Sequence, residues 1–143
     1  MSGTGRAAPR ERIAAECLRQ GKAAVVAGCI VLLQGQPEEV DDGLVVTLGG
    51  AAAEFVLAGH EGGKEGSWPR VWAARGLLHA WDDRATEAII AATRDDSWRV
   101  REMAAKVVAR YQVADACQAM ADLRHDPVPR VRWAAERALV SLA

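Results

Sequence analysis

Arg70, Arg99 and Arg130 are the side chains of this sequence best placed to bind something. Each stands near the start of a segment of similar pattern, and two of them follow a tryptophan closely, Trp68 before Arg70 and Trp98 before Arg99. A guanidinium is a permanently charged planar donor that grips carboxylate or phosphate through two bonds. The start of a helix adds unpaired N–H groups that also favour an anion. One arginine per segment makes a row, and a row of this kind suits an acidic peptide or a phosphate backbone. Trp68 and Trp98 occupy matching places. Either they pack under the loop that precedes them or they join the arginines in an aromatic and cationic surface of the type enriched in binding hot spots. Trp72 and Trp133 stand at intermediate positions that the pattern does not assign.

Other chemistry is absent from the sequence. His60, His79 and His125 are far apart, and none lies four residues from another, which excludes a helical metal pair. No Gly-x-Ser-x-Gly elbow occurs. The stretch Gly59–Gly66 holds four glycines but lacks the Gly-Lys-Ser/Thr of a phosphate loop, so it reads as a connector. Cys17, Cys29 and Cys117 share no metal-ligand spacing and read as reduced thiols. No catalytic residue, metal or cofactor is therefore expected, and the chain reads as a non-enzyme of the cytoplasm. A formal net charge of −1 argues against attachment to nucleic acid or an anionic membrane by bulk charge. Residues 67–143 are locally richer in arginine, with eleven. The longest apolar run, Ala23–Leu33, is too short to cross a bilayer.

The elements that position these residues follow from periodicity and punctuation. Residues 1–8 are Gly- and Ala-rich and read as a disordered tail. Arg10–Gln20 places Ile13, Ala14, Cys17 and Leu18 on one helical face, with Arg12, Glu16 and Arg19 off it. Lys22–Gln34 is a helix apolar nearly all round. Glu38–Leu48 reads as a helix with an acidic first turn, although Leu44–Leu48 alone has the composition of a strand. Ala51–Ala58 is a short helix, and Ser67 is placed to cap another that runs from Trp68 to about Ala80. Arg84–Thr93, Trp98–Arg110, Gln112–Arg124 and a last helix led by Asp126-Pro127 complete the chain. In Gln112–Arg124 the inward set is Val113, Ala116, Cys117, Met120 and Leu123. The last helix is expected to turn an apolar face inward and an Arg/Glu face outward, or else to meet a second subunit.

Two of these helices repeat each other. Laid over one another at a spacing of 31 residues, Asp95 meets Asp126, Arg99 meets Arg130, Val100-Arg101 meets Val131-Arg132, and Ala104, Val107 and Val108 meet Ala135, Ala138 and Leu139. A weaker copy, Trp68–Leu78, aligns Ala74, Leu77 and Leu78 with Ala104, Val107 and Val108 at a spacing of 30. Its Arg70-Val71 is slipped by one residue. A period of this length points to a solenoid of units that must stack to bury their apolar faces.

An acid, a short gap, Val-Arg, an Ala pair and a closing aliphatic pair resembles the second helix of HEAT repeats, especially the short HEAT-like repeats of phycobilisome lyase subunits. The resemblance implies an all-α fold, a short right-handed α-solenoid of helix pairs. It divides residues 9–143 into an amino-terminal helical pair (9–37), a degenerate repeat (38–81), a repeat (82–111) and a carboxyl-terminal repeat (112–143). It also implies that Asp95, Arg101, Asp126 and Arg132 form a ladder between stacked units. A scaffold or adaptor binding a protein partner is the function such a surface suggests, with no membrane involved. Two other readings stay open: a DNA-binding protein similar to the HEAT-like alkylpurine DNA glycosylases, and a lyase-like accessory subunit.

Overall fold

Glycine and proline set most of the chain's breaks. Gly21, at a φ of +94° that L side chains rarely adopt, separates α1 (Pro9–Gln20) from α2 (Lys22–Leu33). Pro37 opens a single 3₁₀ turn, Pro37–Glu39, after which Val40 is extended and α3 begins at Asp42. The acidic stretch is thus a turn followed by α3 (Asp42–Gly49) rather than one continuous helix, and Leu44–Leu48 is helical. α4 (Ala51–Leu57) follows, then the 3₁₀ segment His60–Glu65, and then α5 (Ser67–His79). Gly66 is the residue that caps α5, with Ser67 already in its first turn. α6 (Thr86–Ala92), α7 (Trp98–Tyr111), α8 (Cys117–Leu123) and α9 (Pro129–Leu142) complete the fold. α6 and α8 each start later than their periodicity suggests, because a 3₁₀ turn, Asp83–Ala85 or Ala114–Ala116, precedes them.

The computed structural model describes residues 7–143. The expectation of a tail over 1–8 falls mostly outside the described residues. Of the two that are described, Ala8 donates its amide to Glu11 Oε1 at 3.0 Å and Ala7 accepts from Arg12. Among the described residues all regular structure is helical. The chain separates into two compact units between Asp82 and Asp83.

In the first unit α5 packs on α2, α3 and α1. The approach is close because glycine removes a side chain where the helices meet. A Cβ on Gly76 of α5 would lie 2.7 Å from Leu48 Cδ2 and 2.9 Å from Cys29 Sγ. Trp72 is buried against Gly49, with its ring where a Cβ would fall. The expected face of α1 is corrected here. Ile13 is buried, but so are Arg12 and Glu16, whereas Ala14 is exposed and Leu18 is 90% exposed. The reason lies at the carboxyl end of α3, whose last carbonyls have no partner within their own helix. Arg12 Nε donates to Thr47 O at 2.8 Å and Arg75 Nη2 to Leu48 O at 2.7 Å. Two cations at this negative end of the dipole outweigh the cost of turning α1 by its polar edge. Burial and the proximity of Arg12 pull the Arg75 guanidinium below its ordinary pKa.

In the second unit α7 packs on α9, α6 on α7 and α8 on α9. Of the aligned aliphatic positions all are buried but Leu139, which is half-buried. Val100 and Val131, Ala104 and Ala135, and Val107 and Ala138 are all fully buried. Full burial of a valine contributes about 1.5–3 kcal/mol, and the alanines let the helices approach. Val113 and Ala116 in the turn and Met120 and Leu123 on α8 are buried as the periodicity predicts, but Cys117, where the 3₁₀ turn passes into the helix, is exposed.

Candidate binding edge at the amino ends of α7 and α9

Each of these two helices begins on the same device. Asp95 Oδ1 accepts the Ser97 amide at 2.8 Å, and Asp126 Oδ1 accepts the Val128 amide at 2.9 Å. Aspartate two residues before an amide closes a local turn that sets the entry of the chain into the helix. The arginine six residues on then reaches back: Arg101 Nη1 donates to Asp95 O at 2.8 Å, and Arg132 Nη1 to Asp126 O at 2.7 Å. Arg101 also spans the repeat, giving Nε to Asp126 Oδ2 at 2.7 Å and Nη2 to Oδ1 at 3.2 Å. Asp126 is buried. Burial pushes its carboxyl up, but the hydrogen bonds from Arg101 and the Val128 amide outweigh that, and the net shift is downward.

Outside this ladder lies Trp98 with two guanidiniums against its indole. Arg99 Cζ sits 4.5 Å and Arg130 Cζ 5.4 Å from an indole ring centre, both within cation–π range. The Trp98 indole is half-buried and Arg99 and Arg130 are exposed. Arg130 Nε also donates to Glu102 Oε2 at 2.9 Å, and Lys106 Nζ lies 3.7 Å from the same oxygen. One carboxylate thus orients two cations. Beside them is a groove of about 310 Å³ lined by Glu102, Lys106, Arg130, Trp133, Ala134 and Arg137. The structure therefore brings together Trp98, Arg99 and Arg130 among the candidate residues. Trp68 and Arg70 belong to the first unit, where Trp68 stacks on Trp72 with ring centres 6.3 Å apart and Arg70 Nη1 donates to Gly66 O at 3.1 Å.

Sequence reasoning left Trp133 without a role, and it is 60% exposed on α9. Trp133 takes the place that Glu102 holds one repeat earlier, where the side chain is buried, so the alignment gave no signal of its exposure.

The alignment of two helices, their shared turn and the rung between them all lie within the stretch that the profile of a known family matches, residues 66–140, described as HEAT repeats. This chain belongs to the HEAT-repeat family. The match takes in 75 of 143 positions and covers α5 to α9. No curated protein and no solved structure matches the chain. Every candidate binding residue, from Trp68 to Arg130, falls on the HEAT-repeat part, while α1 to α4 with Arg12 precede it. Among the described residues no group of three or more His, Cys, Asp and Glu side chains is arranged to hold a metal ion. No helix is long and apolar enough to cross a membrane.

Proposed function

We propose that this HEAT-repeat chain is a non-enzymatic adaptor of the cytoplasm whose α7–α9 edge takes an acidic segment of a protein partner. The observation that carries the reading is the cluster of Trp98 with Arg99 and Arg130. It offers two exposed guanidiniums at the amino ends of neighbouring helices beside a half-buried indole. Carboxylates of the partner pair with the arginines while an apolar side chain rests on the indole. A formal net charge of −1 gives no bulk attraction to a polyanion, which supports a peptide over a nucleic-acid backbone. The nucleic-acid reading draws on the same indole and arginines, as a stacking platform with phosphate contacts. Kinship with phycobilisome lyase subunits draws on the repeat pattern alone.

Fluorescence anisotropy separates the two. The probes are a labelled peptide of alternating Glu and Leu, its Lys/Leu counterpart, and a labelled DNA duplex and single strand, each at low and moderate salt. The acidic peptide is expected to bind, the basic one not, and Arg99→Ala with Arg130→Ala to weaken binding about tenfold or more, a loss of about 1.4 kcal/mol. DNA binding that falls steeply with salt, with no binding of the acidic peptide, overturns the reading.

A further inference from the structure

The internal repeat shows what the outer face of α9 is equivalent to. On α7, Arg101 grips Asp126, Glu102 holds Arg130, Ala109 O accepts from Ser141 Oγ at 2.8 Å, and Ala105 is fully buried. These are the positions that α9 covers. Moved on by 31 residues, they become Arg132, Trp133, Val140 and Glu136. On α9 this face carries Trp133 at 60% and Val140 at 77% exposure, with Glu136 and Arg137 exposed between them. Two large apolar side chains seven residues apart, two turns of one helix, form a stripe rather than scattered exposure.

A further unit of the same stack does not suit this face. Where α7 presents Ala105 and Ala109 to its neighbour, α9 presents Glu136 and Val140, and the added bulk holds off a helix packed as closely as α9 is on α7. The order of chemistry along the stripe, apolar, acid, base, apolar, is its own complement when reversed. With two α9 helices antiparallel about a dyad between positions 136 and 137, Glu136 of one copy lies opposite Arg137 of the other. Trp133 then lies opposite Val140, and each contact is made twice, as an isologous interface requires.

We infer that the occupant of this face is a second copy of the chain, paired antiparallel through Trp133, Glu136, Arg137 and Val140 of α9. The helix is about 20 Å long, so the contact falls below the area of a standard stable interface and the dimer is weak and reversible. The inference meets the adaptor reading at Trp133 and Arg137, which also line the groove beside Arg130, but neither Trp98 nor Arg99 takes part.

Sedimentation equilibrium of the full chain over a range of concentrations tests it, with circular dichroism confirming that each variant is folded. The wild type is expected to show a monomer–dimer equilibrium. Glu136→Arg sets four arginines together and Arg137→Glu four glutamates, and each should weaken the dimer about tenfold or more. The double swap, Glu136→Arg with Arg137→Glu, restores opposite charges and should recover dimerisation. A wild type that stays monomeric to its highest soluble concentration overturns the inference. So does a dimer that the single substitutions leave intact or that the double swap fails to rescue. A monomer whose binding of the acidic peptide is lost on Trp133→Ala also overturns it, assigning the face to the peptide.

Discussion

At the scale of single residues, Asp126 carries more of the second unit than its surroundings suggest. It receives both arms of Arg101 and closes its own turn through the Val128 amide, with the side chain almost fully buried. Asp126→Asn keeps the turn but leaves Arg101 without its counter-charge. Loss of one partner from a buried pair costs about 3–5 kcal/mol, and the lower end applies here because Arg101 retains its bonds to Asp95 O and Asp96 O. The variant should melt lower at neutral pH. The pH dependence has a definite sign. The folded-state pKa of Asp126 is depressed, so its stabilisation is fully present above the unfolded carboxyl value of about 3.9 and fades as pH falls through the folded value. The gap between wild type and Asp126→Asn should therefore narrow on acidification below about pH 4. A gap that stays constant through that range assigns the loss to packing instead. The four residues of the ladder were named from the resemblance to HEAT repeats. That Arg101 reaches across to Asp126 while also holding its own turn was not legible, because linear spacing does not say which of two equivalent acids a side chain meets.

At the scale of elements, what could be read depended on whether burial followed hydrophobicity. At the aligned valines and alanines of α7 and α9 it did, so the repeat phase and the core coincide there, although α7 also buries Glu102 and α9 exposes Trp133 and Val140. In α1 it did not, because the requirement came from a neighbour. The open carbonyls of α3 draw Arg12 inward, and Glu16 follows it one turn on, held by Arg19 and Gln20. No property of the α1 sequence alone announces that demand. Cys117 makes the related point for α8: it stands at the junction of a 3₁₀ turn and the helix and is exposed, although Ala116 before it and Met120 and Leu123 after it are buried. Close packing in the first unit is likewise invisible until the helices are assembled. Gly76 in the middle of α5 lowers helix propensity, yet its missing side chain is what admits Leu48 and Cys29. Gly76→Ala should destabilise by about 1–3 kcal/mol through overpacking, despite alanine's better propensity. Thermal melting decides between the two terms, and a variant more stable than wild type would show that Leu48 yields at little cost.

At the scale of the whole molecule, the all-α class and the HEAT-repeat membership were readable because the repeat is a pattern of types at fixed spacing, while the candidate edge was readable only in part. Arg99, Arg130 and Trp98 do come together. Trp133 had to be seen in place, since exposure of a tryptophan depends on which neighbour is present. The three cysteines give each unit its own reporter. Cys29 is buried in the first unit, where desolvation, aided slightly by Cys17, pushes its thiol up to about 12, whereas Cys117 is exposed in the second. The thiolate is the reactive form, so both burial and a raised pKa protect Cys29. In repeat proteins stability is a sum over units and their neighbours, and parts can open separately. A thiol reagent at neutral pH should modify Cys117 at once, and Cys29 only as fast as the first unit opens. Mass mapping of the labelled sites against denaturant follows both. If Cys29 labelling requires the same denaturant as loss of total helix, the first unit opens only with global unfolding. If it precedes that loss, the first unit opens on its own. Labelling of Cys29 as fast as Cys117 in native buffer contradicts the packing of α2 against α5, because Cys29 Sγ lies where that contact is closest, 2.9 Å from the position a Cβ on Gly76 would take.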